Sequence, residues 1–288
     1  MVLLKVSLVL SFVAYGTSLD EIHDLLSNNS EIIERSSGLS VGHSAYLELF
    51  IAYSEHHKKR LSKKGQLQNY LRKFVHKIND ILLKQEKKEV LHVKFYLVDS
   101  SLFKDAYRAL VFGKKNVLDA ELLEAILGVF VKRFQKKLKE KYPGKHIDAL
   151  LFLTTQTIKN EESQKMNFGI EPQVGGICLM GHNVAAATDD ARTYSGVYSA
   201  ARQLSRLMGS VYDGEGPPPK PFVPGSDGAR WCQYEKGHLM GQPPTGEKRN
   251  SMVSSCSAHQ YIMGLRHRGP GCYESKPPKE MQLNNKVE

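Results

Sequence analysis

The 288-residue sequence contains no apolar run of the roughly 18 uncharged residues that a membrane-crossing helix requires, so no helical span is expected. It has no C-x-x-C pair, the usual thiolate frame of a structural zinc site, and its cysteines number only four. Gly175-Gly176 is not followed by Lys-Ser or Lys-Thr, which removes the phosphate-cradling loop of nucleotide enzymes. No internal repeat is present, which excludes solenoids and propellers. Acidic residues are in deficit, 30 Asp and Glu against 40 Lys and Arg, for a formal charge of +10. No nucleic-acid reader motif accompanies that charge, so nucleic acid is not an expected partner.

The N-terminus carries Lys5, an apolar stretch over 6–14 and the small residues Gly16, Thr17 and Ser18, the pattern of a secretory signal peptide over 1–18. A secreted, soluble and monomeric protein is expected. The four cysteines, Cys178, Cys232, Cys256 and Cys272, are even in number and fall in the C-terminal part, where an extracellular route would oxidise them. Four cysteines allow three pairings, and spacing does not choose among them. The polar lead-in over 19–43 holds the sequon Asn28-Asn-Ser30 and no cysteine, so it offers no thiol with which to cap a metal.

Alternation over 91–98 and a continuous apolar run over 149–153 predict strands. Helical spacing is found over 65–84 and 118–142, the latter stopped by Pro143-Gly144. This alternation predicts an α/β (α+β) upper lobe with helices on a mixed, twisted sheet. After about residue 209 the composition turns to Gly216-Pro-Pro-Pro219, Pro221, Pro224-Gly225 and Pro243-Pro244, an irregular lower lobe closed by a helix near 258–266. The polar tail over 275–288 is expected to fray. Three basic clusters, 56–64, 84–88 and 132–141, suit either solvated helix faces or an anionic glycan. The His56-His57 pair, set among cations, makes a poor metal site.

The segment 194–214 carries the most chemistry. Taken alone it is an amphipathic helix, with Ala200, Leu204, Leu207 and Met208 on one side. It also has the frame of a long zinc signature, H-E-x-x-H-x-x-G-x-x-H, occupied here by Arg202, Gln203, Arg206, Gly209 and Tyr212. Arg202 and Arg206, at i and i+4, leave the same helix face and converge where a metal would lie. A guanidinium has no lone pair to donate and does not deprotonate near neutral pH. At about 4 kcal/mol per pair of unit charges 4 Å apart, each Arg would repel a divalent ion by roughly twice that. Gln203 lacks the basicity of the Glu that accepts a proton from metal-bound water.

Other segments extend the match in order along the chain. Residues 46–53 with His56-His57, the helix over 67–81, the strand at 147–154, Gly175-Gly-Ile-Cys178, the approach Trp231-Cys232 to Met240, then Ser254-Ser-Cys256-Ser257 and Gly269-Pro-Gly-Cys272 together resemble the reprolysin (adamalysin-like) metzincin family. The similarity covers 44–274, and its nearest flavour is that of secreted arthropod metalloproteases such as those of tick saliva. The resemblance implies a metalloprotease fold, a zinc cofactor in active members, a methionine turn at Met240 and a structural Gly209. It further implies disulfides Cys178–Cys272 and Cys232–Cys256, and a substrate-bearing edge strand around Gly176 and Ile177. Because all three ligand positions and the base position are replaced, the expectation is a protein without zinc or hydrolysis. Such a protein would bind an extracellular protein or anionic glycan, with Arg202, Arg206, Gly176 and Ile177 as candidate contacts. Asp189, Asp190 and Asp213 are the expected counter-charges for the two Arg. The rival expectation is an active zinc metalloendopeptidase of the reprolysin type.

Overall fold

A central strand buried on both faces is apolar throughout, and Ala149–Thr154 (β4) has every residue buried. The computed structural model describes residues 38–63, 65–88, 90–111, 116–141, 143–144, 146–159, 169–218, 223–242 and 251–274. The expected signal peptide, the Asn28 sequon, most of the lead-in and the tail lie outside the described residues.

Next to β4 runs β1 (Ser44–Tyr53), and the outer positions belong to β2 (His92–Leu102) and β6 (Val184–Thr188), in the order β2-β1-β4-β6. Among the described residues all three strand pairings are parallel, where a mixed sheet is expected from sequence. Antiparallel contact with this sheet is limited, among the described residues, to the isolated bridges Gly169–Ala187 and Tyr46–Glu274. The reason lies in the connections. The chain passes from β1 to β2 through helix α2 (Gln66–Leu83), and from β2 to β4 through α3 (Ala120–Lys141). Such crossovers return the chain in the same direction, whereas hairpins reverse it. A separate parallel pair joins β3 (Val117–Asp119) to β5 (Thr157–Lys159).

Period-two alternation divides the apolar side chains between the two faces of the sheet. Leu47, Leu49, Ile51, Leu151 and Leu153 face Tyr70, Leu71, Phe74 and Ile78 of α2 together with the later helices. Phe50, Leu150 and Phe152 face Leu123, Leu127 and Val131 of α3. The outcome is a layered α/β/α body in which α2 and α3 bury stripes at i, i+3 and i+4. Helix α1 (Glu55–Arg60) starts at Ser54, whose side chain accepts the His57 amide hydrogen.

Beyond helix α4 (Val197–Leu207), regular structure among the described residues thins to 3-10 turns at Tyr234–Lys236 and Pro270–Cys272 and helix α5 (Ser255–Arg268). Helix α5 begins three residues before the expected boundary because Ser254 caps it, accepting from the Ser257 amide at 3.2 Å. Disulfides Cys178–Cys272 and Cys232–Cys256 hold this part to the sheet and to itself, in the pairing that the family resemblance implies.

Candidate functional site

Helix α4 presents two faces of opposite character. Val197, Ala200, Ala201, Leu204 and Leu207 are buried, and so is Gln203. The Gln203 Oε1 accepts the Ala186 amide hydrogen of β6 at 2.9 Å, and its Nε2 donates to Ser199 Oγ at 3.3 Å. The side chain at the base position is thus engaged with the outer edge of the sheet. The Ala186 carbonyl on that edge accepts from Ile170 N at 3.3 Å. Gly169 is packed so closely there that a Cβ would lie 2.3 Å from the Ala186 oxygen, and only glycine fits.

Arg202 and Arg206 are half-exposed on the other face. Their guanidinium carbons stand 5.0 and 4.8 Å from the centre of the Tyr212 ring, both within cation–π range. Arg206 Nε also donates to the Pro172 carbonyl at 3.4 Å. Among the described residues no carboxylate stands within ion-pair distance of either Arg. The counter-charges expected from sequence are engaged elsewhere. Asp189 accepts from His57 Nε2 at 2.9 Å, Tyr70 OH at 2.8 Å and the amides of Ala191 and Gly196. Asp190 holds Thr193 and the Arg192 amide. Asp213 accepts from Ser254 Oγ at 2.7 Å, while its Oδ2 is buried with no partner.

The carboxylate that acts on Arg206, Glu124, comes from a distant segment. Burial pushes the Glu124 carboxyl up to about 7, the attraction of Arg206 opposes this, and Glu121 and Glu171 add to it. Burial also raises the Tyr212 phenol above its ordinary value, against the pull of Arg206 and Arg202. The phenol therefore remains protonated at neutral pH and is a donor.

The donor set does not suit zinc. Zinc takes lone pairs from neutral nitrogen, thiolate or carboxylate, and the three positions hold two cations and a protonated phenol. Among the described residues no group of three His, Cys, Asp or Glu converges to hold a metal ion.

Below the notch, Gly209 turns the chain at φ 111°, a conformation that favours glycine. A Cβ at Gly264 of α5 would come within 2.1 Å of the Met208 carbonyl and 3.3 Å of the Gly209 Cα, so backbone meets backbone at this crossing. Met240 is fully buried in a turn whose carbonyl accepts from the Asp213 amide at 3.2 Å. Tyr198 OH reaches the carbonyls of His238 and Leu239 from α4. Gly209, Tyr212 and Met240 are therefore brought together. Gly176 and Ile177 are not part of a strand edge: both are buried in turns, the Ile177 amide bonded to the Leu207 carbonyl and that of Gly175 to Arg206. Positive φ at Gly175 (75°) and Cys178 (59°) bends the segment away from extended geometry.

Sequence reasoning weighed His57 only as half of a poor metal pair and did not foresee its structural role. It is fully buried, bonded to Asp189, and its Nδ1 has no partner. Together with Tyr70, which stacks on Tyr194 at 4.3 Å, it ties α1 and α2 to the loop that launches α4.

No family model matches the chain. Over 98 residues, 32% of the chain, it is 35% identical to a Bombyx mori protein described as "A disintegrin and metalloproteinase with thrombospondin motifs like". The chain spans 14% of that relative's length. Among solved structures, it overlaps a zinc-dependent peptidase from Methanocorpusculum labreanum with a TM-score of 0.44 and 11% identity, covering 74% of this chain and 99% of that one. Archaemetzincin from Methanopyrus kandleri gives 0.39 and 10%, over 77% and 96%. A chaperone–substrate complex gives 0.47 and 8%, over 79% and 39%.

Proposed function

We propose that this chain is a secreted, reprolysin-like pseudoprotease that has lost zinc and hydrolysis and acts by binding an extracellular protein or surface. The observation that carries this reading is the convergence of Arg202 and Arg206 on Tyr212 where the family resemblance expects three metal ligands. Two permanent cations oppose a divalent ion by several kcal/mol each. The engagement of Gln203 with β6 supports the same conclusion from the other side, since no carboxylate stands at the base position to activate water. Two disulfides suit an oxidising compartment. The sequence similarity to a metalloproteinase-like protein of Bombyx mori favours the peptidase scaffold and also motivates the rival reading, an active zinc endopeptidase.

Metal analysis of the purified, secreted protein separates the two. The expected result is zinc far below stoichiometry and no chelator-sensitive cleavage of a protein substrate. About one zinc per chain together with chelator-sensitive cleavage would overturn the proposal.

A further inference from the structure

The two guanidiniums at the notch have unused hydrogen-bonding capacity. Arg202 makes no hydrogen bond or ion pair among the described residues, and Arg206 makes only the long bond to Pro172. The Tyr212 hydroxyl has no partner among them either. The two cationic forks and the phenol donor are therefore open together on a half-exposed surface. Stacking on one ring restrains both long side chains before any ligand arrives, which lowers the ordering cost of binding. Fork geometry of this kind matches a carboxylate.

The surroundings restrict how a partner can approach. An extended peptide adding to the sheet needs free backbone groups along β6. The Ala186 amide is taken by Gln203 and its carbonyl by Ile170, and residues 175–178 spend their amides on carbonyls of the chain itself. Strand addition is blocked at Ala186 and along 175–178, which favours a ligand that enters end-on. Glu124 interacts electrostatically with Arg206, and Glu171 with Glu124, while Glu171 and Glu215 act on Tyr212. These carboxylates repel any anion, and a densely sulfated polymer meets that repulsion at every charge it carries, a single carboxylate only once.

We infer that the Arg202–Arg206–Tyr212 notch is a receptor for a single carboxylate presented end-on by a polypeptide partner, as an acidic side chain or a chain terminus. This rests on the pseudoprotease reading and specifies what its former metal pocket holds.

The test uses the full secreted chain and a dansylated peptide ending in glycine-glycine-aspartate with a free terminus, beside the same peptide ending in asparagine amide. Binding is followed by fluorescence anisotropy at low salt. The acidic peptide is expected to bind and the amide peptide to fail. Arg202→Gln with Arg206→Gln should weaken binding by at least about tenfold, the scale of charge-assisted hydrogen bonds. Arg202→Lys with Arg206→Lys, which keeps charge and loses the fork, should fall between. Unchanged melting of the variants verifies their fold. The amide-peptide comparison needs no variant and stands even where one does not fold. Equal binding of both peptides, or equal binding by wild type and the Gln variant, overturns the inference. A heparin oligosaccharide that displaces the peptide and is itself lost in the Gln variant also overturns it, in favour of a sulfated ligand. Absence of zinc with no peptide discrimination sinks this inference alone, while bound zinc sinks the reading beneath it too.

Discussion

The body before Gly209 and the part after it are held by different means. In the first, aromatic and aliphatic side chains fill both faces of a parallel sheet, and Phe50, Phe74, Phe95 and Phe152 are fully buried. In the second, little regular structure is found among the described residues, and order comes from disulfides, a bare backbone crossing and hydroxyl bonds such as Ser210 Oγ to Ser257 Oγ at 2.8 Å. The contrast shows that one chain combines area burial, which is non-directional, with crosslinks that restrain the unfolded state. The notch lies where the two meet, with its cations on the last turns of α4 and its ring on the segment beyond.

Phe152→Ala should break the first regime most severely. It removes a ring packed between Phe103 and α3, at an expected cost of about 3–5 kcal/mol read by denaturant unfolding. Cys232→Ser with Cys256→Ser should act on the second, costing about 2–4 kcal/mol and opening the loop around Met240 to protease before the sheet unfolds. Equal protease resistance in that variant would show that the crosslink is not what orders the lower part.

A pH-dependent effect is expected at the seam. Asp148 Oδ2 accepts the Glu48 amide at 2.6 Å, and the Asp148 carbonyl accepts the Cys178 amide. Burial pushes the Asp148 carboxyl up to about 8, with Glu48 and Glu274 adding to the rise against the Glu48 amide. A raised acid is protonated more readily in the folded than in the unfolded state. Its stabilisation is full below about pH 4 and is lost as pH rises through about 8. Melting temperature should fall across that window, and less so in Asp148→Asn. Glu124, raised to about 7, acts with the same sign. Asp190, held down to about 2 mainly by Thr193 and neighbouring amides against burial, loses its contribution only as pH falls below about 4, outside this window.

What was legible followed from local pattern. The run at 149–153 is β4, Pro143-Gly144 follows the end of α3, and the i, i+4 spacing of Arg202 and Arg206 does bring them to one place. What was not legible depends on neighbours distant in the chain. Asp213 was the natural guess for a counter-charge because it is near in sequence, yet it turns to Ser254, and Glu124 reaches Arg206 from another helix. The Gln203 bond requires knowing that β6 is outermost. The direction of β1, β2 and β4 depends on crossover helices, and the turn at Gly175 on a dihedral that composition does not record. The disulfide pairing came through family resemblance, since spacing left three options open.

The crossing of Gly209 and Gly264 has a consequence for how the molecule drifts. Where two segments touch through main chain alone, their separation is fixed by van der Waals radii, and any added side chain forces them apart. The joint works as a ruler that side-chain replacement elsewhere cannot re-graduate. Substitutions on the exposed faces of α4 and α5 therefore leave the distance between the two helices at this crossing unchanged.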